Sequence, residues 1–143
     1  MKTGLEVVRD IRSLMNIPEI TNNISGKIYD FWLPQNATGE NVAISVLAID
    51  NEKIQSSFVN VNIYAPNLKI NLVNNTGIDN TQPNLLRFDF LANLIIPFLD
   101  SQFKYDFHTW VDSPPIPMRN TDGGWFLNIK VNYQHIQNNF KNI

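Results

Sequence analysis

Cysteine is absent from this chain of 143 residues. Its absence removes disulfides, thiolate zinc sites and cysteine nucleophiles together, while leaving the compartment open. Charge is sparse: Asp, Glu, Lys and Arg make up 17% of the residues and sum to a net −2, with a pI near 5.6. A protein that grips a phosphate backbone needs a basic surface, and none is indicated here. The high net charge that accompanies intrinsic disorder is missing as well. Glycine occurs six times, in no phosphate-loop or dinucleotide pattern. Gly26 stands alone, and Gly123-Gly124 reads as a hairpin turn. His108 and His135 are the only histidines, too few and too scattered for a metal centre. No metal and no cofactor are expected.

Long apolar runs are lacking too. The most apolar segment, Leu91 to Leu99, is too short to span a bilayer. The N-terminal MKTGLEVVRDIRSLM places charges among its apolar positions, unlike the hydrophobic region of a signal peptide. The expectation is a soluble intracellular product without a membrane partner. Alanine is scarce while asparagine and isoleucine abound, as an AT-rich coding sequence would produce. Asn23-Ile24-Ser25, Asn36-Ala37-Thr38 and Asn74-Asn75-Thr76 are sequons that an Asn-rich chain generates by chance.

What is present suffices for a core. Hydrophobic residues form 43% of the chain, and a chain of this length buries roughly 68–70% of its unfolded surface. One domain over residues 1–143 is expected. Thr3-Gly4-Leu5-Glu6 matches a capping box. After it Leu5, Val8, Ile11 and Leu14 or Met15 recur at helical spacing. Pro18 marks that this helix has ended.

Ser25-Gly26 opens a strand from Lys27 to Leu33. A Pro, Asn and Gly-rich turn from Pro34 to Asn41 leads to a mostly buried strand, Val42 to Leu47, so the pair reads as a hairpin with a long loop. From Ser57 to Ala65, Val59, Val61, Ile63 and Ala65 alternate with Phe58, Asn60, Asn62 and Tyr64, giving one buried and one mixed face. Leu68, Ile70 and Leu72 form a short strand or a linker covering the core. Thr81 or Gln82, with Pro83 at the first helical position, starts a second helix. It carries Leu85, Phe88, Ala92, Ile95, Ile96, Leu99 and Phe103 to about Gln102. Pro97 inside it removes the hydrogen bond to the Asn93 carbonyl, and kinks the helix or begins another.

Two strands close the chain. In Lys104 to Asp112, Phe107, Thr109 and Val111 oppose Asp106, His108 and Trp110. In the last strand, Trp125, Leu127, Ile129, Val131 and Tyr133 oppose Phe126, Asn128, Lys130, Asn132 and Gln134. Between them Ser113 to Gly124 is a Pro-stiffened arm ending in a tight turn. The predicted class is α+β, a mostly antiparallel sheet packed against an N-terminal helix and a longer central helix.

Catalytic constellations are thin. His108 with Asp106 or Asp112 has the composition of a base and its orienter, although a partly exposed strand histidine is the plainer reading. Ser113 beside them lacks an elbow motif. Asp30 and Asp50 could pair as general acid and base, but solvated strand ends explain them better. Trp32, Trp110 and Trp125 could line a pocket, yet aromatics at strand ends are more often core edges or interface anchors. No reaction class emerges, and the protein is not expected to be an enzyme. An alternative keeps a small ligand-binding or enzymatic domain with a cleft at His108, Trp110 and Asp112.

Ile28-Tyr29-Asp30, Leu33-Pro34-Gln35, Val61-Asn62-Ile63-Tyr64-Ala65, the helix from Pro83 to Gln102 and the strand Trp125 to Tyr133 follow one another in a particular order. That order resembles the tail terminator and tail-completion (neck) proteins of long-tailed bacteriophages, over roughly Leu5 to His135. Two features depart from the family: the Leu68 to Gln82 segment is longer than usual, and the arm at Ser113 to Arg119 matches no family motif. The resemblance implies a structural virion protein, made in the host cytoplasm, that forms a homo-oligomeric and hexameric ring at the head-proximal end of the tail. Such a ring terminates the tail tube and joins it to head-connector proteins, and DNA passes through its lumen without specific binding. A related tail-tube or head-completion protein is the neighbouring possibility. A ring closed by head-to-tail contacts needs two different adhesive patches. Tyr29, Phe31, Trp32 and Leu33 on one side and Ile116 and Met118 on the other suit that role, since aromatics and Met are enriched in interface cores.

Overall fold

Thr3 Oγ1 accepts the Glu6 amide at 3.2 Å and opens helix α1, Gly4–Met15. The reciprocal half of the expected box differs, because the Glu6 carboxylate takes the Thr3 hydroxyl at 3.4 Å. Val7, Val8, Ile11, Leu14 and Met15 are buried, whereas Leu5 is exposed. Pro18 then begins a one-turn helix, α2, Pro18–Thr21. The structure is a computed structural model that describes residues 1–137, so the last six positions of the expected domain lie outside the described residues.

The remaining elements are β1 (Ile28–Asp30), β2 (Asn41–Ile49), β3 (Ile54–Ala65), β4 (Ile70–Asn71), β5 (Ile78–Asp79), α3 (Leu85–Leu99), β6 (Gln102–Phe103), β7 (Phe107–Val111), β8 (Ile116–Arg119) and β9 (Trp125–Ile136). Among the described residues, seven strands make one sheet in the order β1-β2-β3-β9-β7-β6, with β8 beside the first residues of β9. Strands β3 and β9 pair antiparallel over their full length, from Ile54 opposite Ile136 to Ala65 opposite Trp125. Their inward residues Val59, Val61, Ile63, Leu127, Ile129, Val131 and Tyr133 pack against Phe88, Leu91, Ala92, Ile95 and Leu99 of α3 and the apolar face of α1. The α+β class and the two helices against the sheet are as expected from the sequence.

Several local expectations are corrected. Lys27 to Leu33 and Val42 to Leu47 are not an antiparallel hairpin, because β1 is only three residues long and runs parallel to β2, Ile28 opposite Val42. The chain leaves β1 at Phe31, which has a φ of 70°, and residues 31–40 carry it back past the start of the strand. There the Gly26 amide donates to the Glu40 carbonyl at 2.8 Å, and the Lys27 amide donates to Asn41 Oδ1 at 2.9 Å. A long polar loop that returns in this way converts a hairpin pattern into a parallel pair.

Helix α3 starts two residues later than Pro83 suggested, because Asn84 is the cap and its Oδ1 accepts the Arg87 amide at 3.2 Å. The helix ends at Leu99, and Phe103 lies on β6 instead, 78% exposed. Pro97 sits in the last turn, where one lost hydrogen bond neither ends the helix nor begins another. Of the two alternatives for Leu68, Ile70 and Leu72, the short strand is the one found: β4 pairs with β5, and all three side chains are exposed and do not cover the core. Finally, the Pro-rich arm contains a strand, β8, whose Met118 stands opposite Phe126. Removing the cap with Asn84→Ala should lower stability by about 1 kcal/mol, measured as a lower urea midpoint at unchanged slope.

Candidate functional site

The six residues singled out for an interface divide into two groups. Tyr29 faces away from the helices beside Ala43 and is half-buried. Phe31, at a φ of 70°, is half-buried and packs against the core. Trp32, 77% exposed, sits against it with ring centroids 5.9 Å apart. Leu33 is half-buried and helps line a groove of about 530 Å³ shared with Tyr64, Asn67, Arg119 and Trp125. On β8, Ile116 and Met118 are 58% and 43% exposed.

These two groups sit by strands with unpaired edges. Among the described residues, β1 pairs only with β2, and β8 only with β9. Between them lie β2, β3 and β9, so the edges are four strand spacings apart, roughly 19 Å. An open edge flanked by apolar side chains is a template for another chain.

Sequence reasoning missed other exposed apolar residues. Leu86 and Phe90 protrude from the outer side of α3, and Ile70, Leu72, Val73 and Ile78 from the β4–β5 hairpin. The signal for the helix was readable: α3 is apolar on nearly every side, a composition that leaves one face requiring cover. For the hairpin, the alternation of Leu68, Ile70 and Leu72 was visible without showing which way it faced.

The proposed acid–base pairs do not assemble. Asp30 meets Arg12 at 3.2 Å, while Asp50 accepts the Glu52 and Ser56 amides and closes the β2–β3 turn. Asp30 stands opposite Ile44, so six residues of chain, about 20 Å, lie between the two carboxylates. Among the described residues, no hydrogen bond or ion pair joins His108 to Asp106 or Asp112, although Asp106 and His108 line the same groove. Its ring stacks between Phe103 and Trp110, with centroids 5.5 and 5.3 Å away. Asp112 instead accepts from Asn132 at 2.9 Å. The tryptophans are equally scattered. Trp125 donates its indole N–H to the Thr81 carbonyl at 2.8 Å on the core side, Trp32 is in the β1–β2 loop, and Trp110 is on the uncovered face of the sheet. Among the described residues, no group of three potential metal ligands occurs, and no helix is long and apolar enough to cross a membrane.

One polar cluster was not anticipated. Lys2 Nζ lies 2.5 Å from Asp10 and 2.8 Å from Asp106, under the rings of Phe107 and Tyr133. The Tyr133 hydroxyl donates to the same Asp10 oxygen at 2.5 Å. Burial works to lower the Lys2 pKa, but hydrogen bonds to Asp10 and Asp106 outweigh it, and the net shift is upward. The Lys2 hydrogen bond lowers the Asp106 pKa against the opposing effect of burial. Burial, followed by the bond to Asp10, pushes the Tyr133 phenol far above its ordinary value. This cluster ties the N-terminus to α1, β9 and the residue that precedes β7. No protein-family model matches the chain, and no curated protein matches it.

Proposed function

We propose that the protein is a structural virion component, a ring-forming tail terminator or neck protein that closes the head-proximal end of a phage tail tube and joins it to the head. The observation that carries this reading is the pair of unlike apolar patches at opposite sheet edges. Trp32 follows the β1 edge, while Ile116 and Met118 lie on the β8 edge. Two unlike patches on opposite sides are what a head-to-tail interface requires, and such an interface yields a closed ring when its rotation closes. A net charge of −2 suits a lumen through which DNA passes without being held.

Native mass spectrometry and negative-stain microscopy of the purified protein, alone and with purified tail tubes, test the reading. Rings, or decoration of one end of the tubes, are expected. Met118→Asp or Trp32→Ala should remove either signal without lowering the melting temperature, because both side chains are exposed and interface anchors contribute about 2 kcal/mol or more each. A protein that stays monomeric at high concentration and ignores tube ends would sink the proposal. Binding to head connectors but not to tubes would favour a head-completion role.

A further inference from the structure

The face of the sheet turned away from the helices has its own organisation. On it Phe58 of β3 and Trp110 of β7 both stand opposite Asn132 of β9. One step along, Ser56 and His108 both stand opposite Gln134, and Phe103 of β6 stands beside His108. A strip of hydroxyl and amide groups is thus walled by aromatic rings, with wall backbones about 10 Å apart across two strand spacings. Phe103, His108 and Trp110 form a continuous stack, with neighbouring planes inclined by only 13° and 21°. A groove of about 310 Å³ lies between Phe58 and Trp110, and a second of about 380 Å³ runs past Phe103 and His108. Gln134 lines both.

We infer that this walled strip is a binding site for a neutral saccharide chain. An aromatic plane packs against the C–H face of a pyranose ring, an apolar contact with a defined geometry. Side-chain amides both donate and accept, as sugar hydroxyls do. A groove near the lower end of ligand-pocket volumes, with a second one sharing Gln134, suits consecutive sugar units better than one large ligand. Charge decides against nucleic acid, the other polymer that stacks on aromatic rows. A bound phosphate backbone requires a cationic track, whereas among the described residues Lys104 is the single Lys or Arg lining either groove and Asp50 and Asp106 line them too. The inference is independent of the ring reading, which rests on the sheet edges and not on this face.

The test is a titration of isotopically labelled protein, followed by NMR, with neutral hexasaccharides of cellulose, xylan, mannan and chitin type. Saturable shifts of the Asn132 and Gln134 side-chain amides and of the Trp110 indole are expected with at least one of them. Trp110→Ala should weaken that binding about tenfold or more, and Trp110→Phe should restore most of it, since the contact is with a ring face. The β9 amide dispersion reports whether each variant is folded, and Phe58→Ala probes the opposite wall should Trp110→Ala unfold. No shift with any sugar at about 10 mM, a level that reveals millimolar affinity, overturns the inference. So does tighter binding of oligothymidylate to the same residues. An oligomer that dissociates on Trp110→Ala, without any sugar response, assigns the face to a second copy and also overturns it.

Discussion

Lys2→Met is expected to lower stability by about 2–4 kcal/mol. Removing one partner of a buried ion pair typically costs about 3–5 kcal/mol, and the range is reduced here because Asp106 is 38% exposed. The methionine keeps the stem that lies along Phe107 and Tyr133 but leaves Asp10 without its cation, within reach of the Tyr133 hydroxyl. The Lys2 backbone holds a second tie, donating its amide to Gln55 Oε1 at 2.9 Å and accepting the Gln55 side-chain amide at 2.8 Å. That tie survives the substitution, so the N-terminus should stay docked and the loss should be attributable to charge.

The pH dependence sharpens this prediction. The folded pKa of Asp106 is depressed, so its contribution is present above the unfolded carboxylate value near 3.9 and is lost as pH falls through the folded one. Lys2 and Tyr133 are shifted upward. Their contributions are complete below the unfolded values near 10 and decline as pH rises beyond them. Urea midpoints of the natural protein should therefore be level between about pH 5 and 9, falling on both sides. In Lys2→Met the acid limb should flatten, because Asp106 no longer has a cation to lose. An acid limb unchanged by the substitution would show that other carboxylates govern it.

How much of this was legible in the sequence follows from the range of the forces involved. The periodicity of β3 and β9 was readable residue by residue, because the same side chains that alternate along each strand face a helix layer on one side only. The cap at Thr3 was readable because it is contained within four residues. The direction of β1 was not readable, since it depends on where a ten-residue loop returns, and that is decided by Ser25, Gly26 and Lys27 meeting Glu40 and Asn41. Phe103 was assigned to the helix because its spacing continued from Leu99, yet Ser101 at a φ of 54° breaks the run. Of the candidate interface, Trp32, Ile116 and Met118 were identified by residue type and proximity to loops. The aromatic stack was invisible, since it joins three residues of two strands to a third strand, and only the register puts Phe58 and Trp110 on either side of Asn132. The Lys2 cluster brings together positions 2, 10, 106 and 133, a spacing that no local pattern encodes.

Gly26→Ala should be at least as damaging, by about 2–4 kcal/mol, as expected where a substitution overlaps packed atoms it cannot displace. A Cβ at position 26 would stand 1.9 Å from Asn41 Oδ1 and 2.4 Å from the Glu40 carbonyl oxygen. The first neighbour is a side chain, but Asn41 is only 2% exposed and its amide is held by the Thr38 carbonyl at 3.0 Å, so it has little room to move. The second is backbone and cannot rotate away. Relief requires moving the returning loop off Gly26, which breaks the Gly26–Glu40 and Lys27–Asn41 hydrogen bonds and frees the β1 edge. Most of the core lies on β3, β9 and α3, so the unfolding transition should remain cooperative at a lower urea midpoint. Asn41→Ala offers a separation of causes: it removes the first overlap and leaves the second, so Gly26→Ala should still destabilise in that background, by a smaller amount. Equal losses in both backgrounds would place the whole effect on the Glu40 carbonyl. The loop that would be displaced also carries Phe31, Trp32 and Leu33. Ring formation should therefore fail in Gly26→Ala at temperatures where the protein is still folded, whereas a ring that survives would show that the β1 edge takes no part in the contact between subunits.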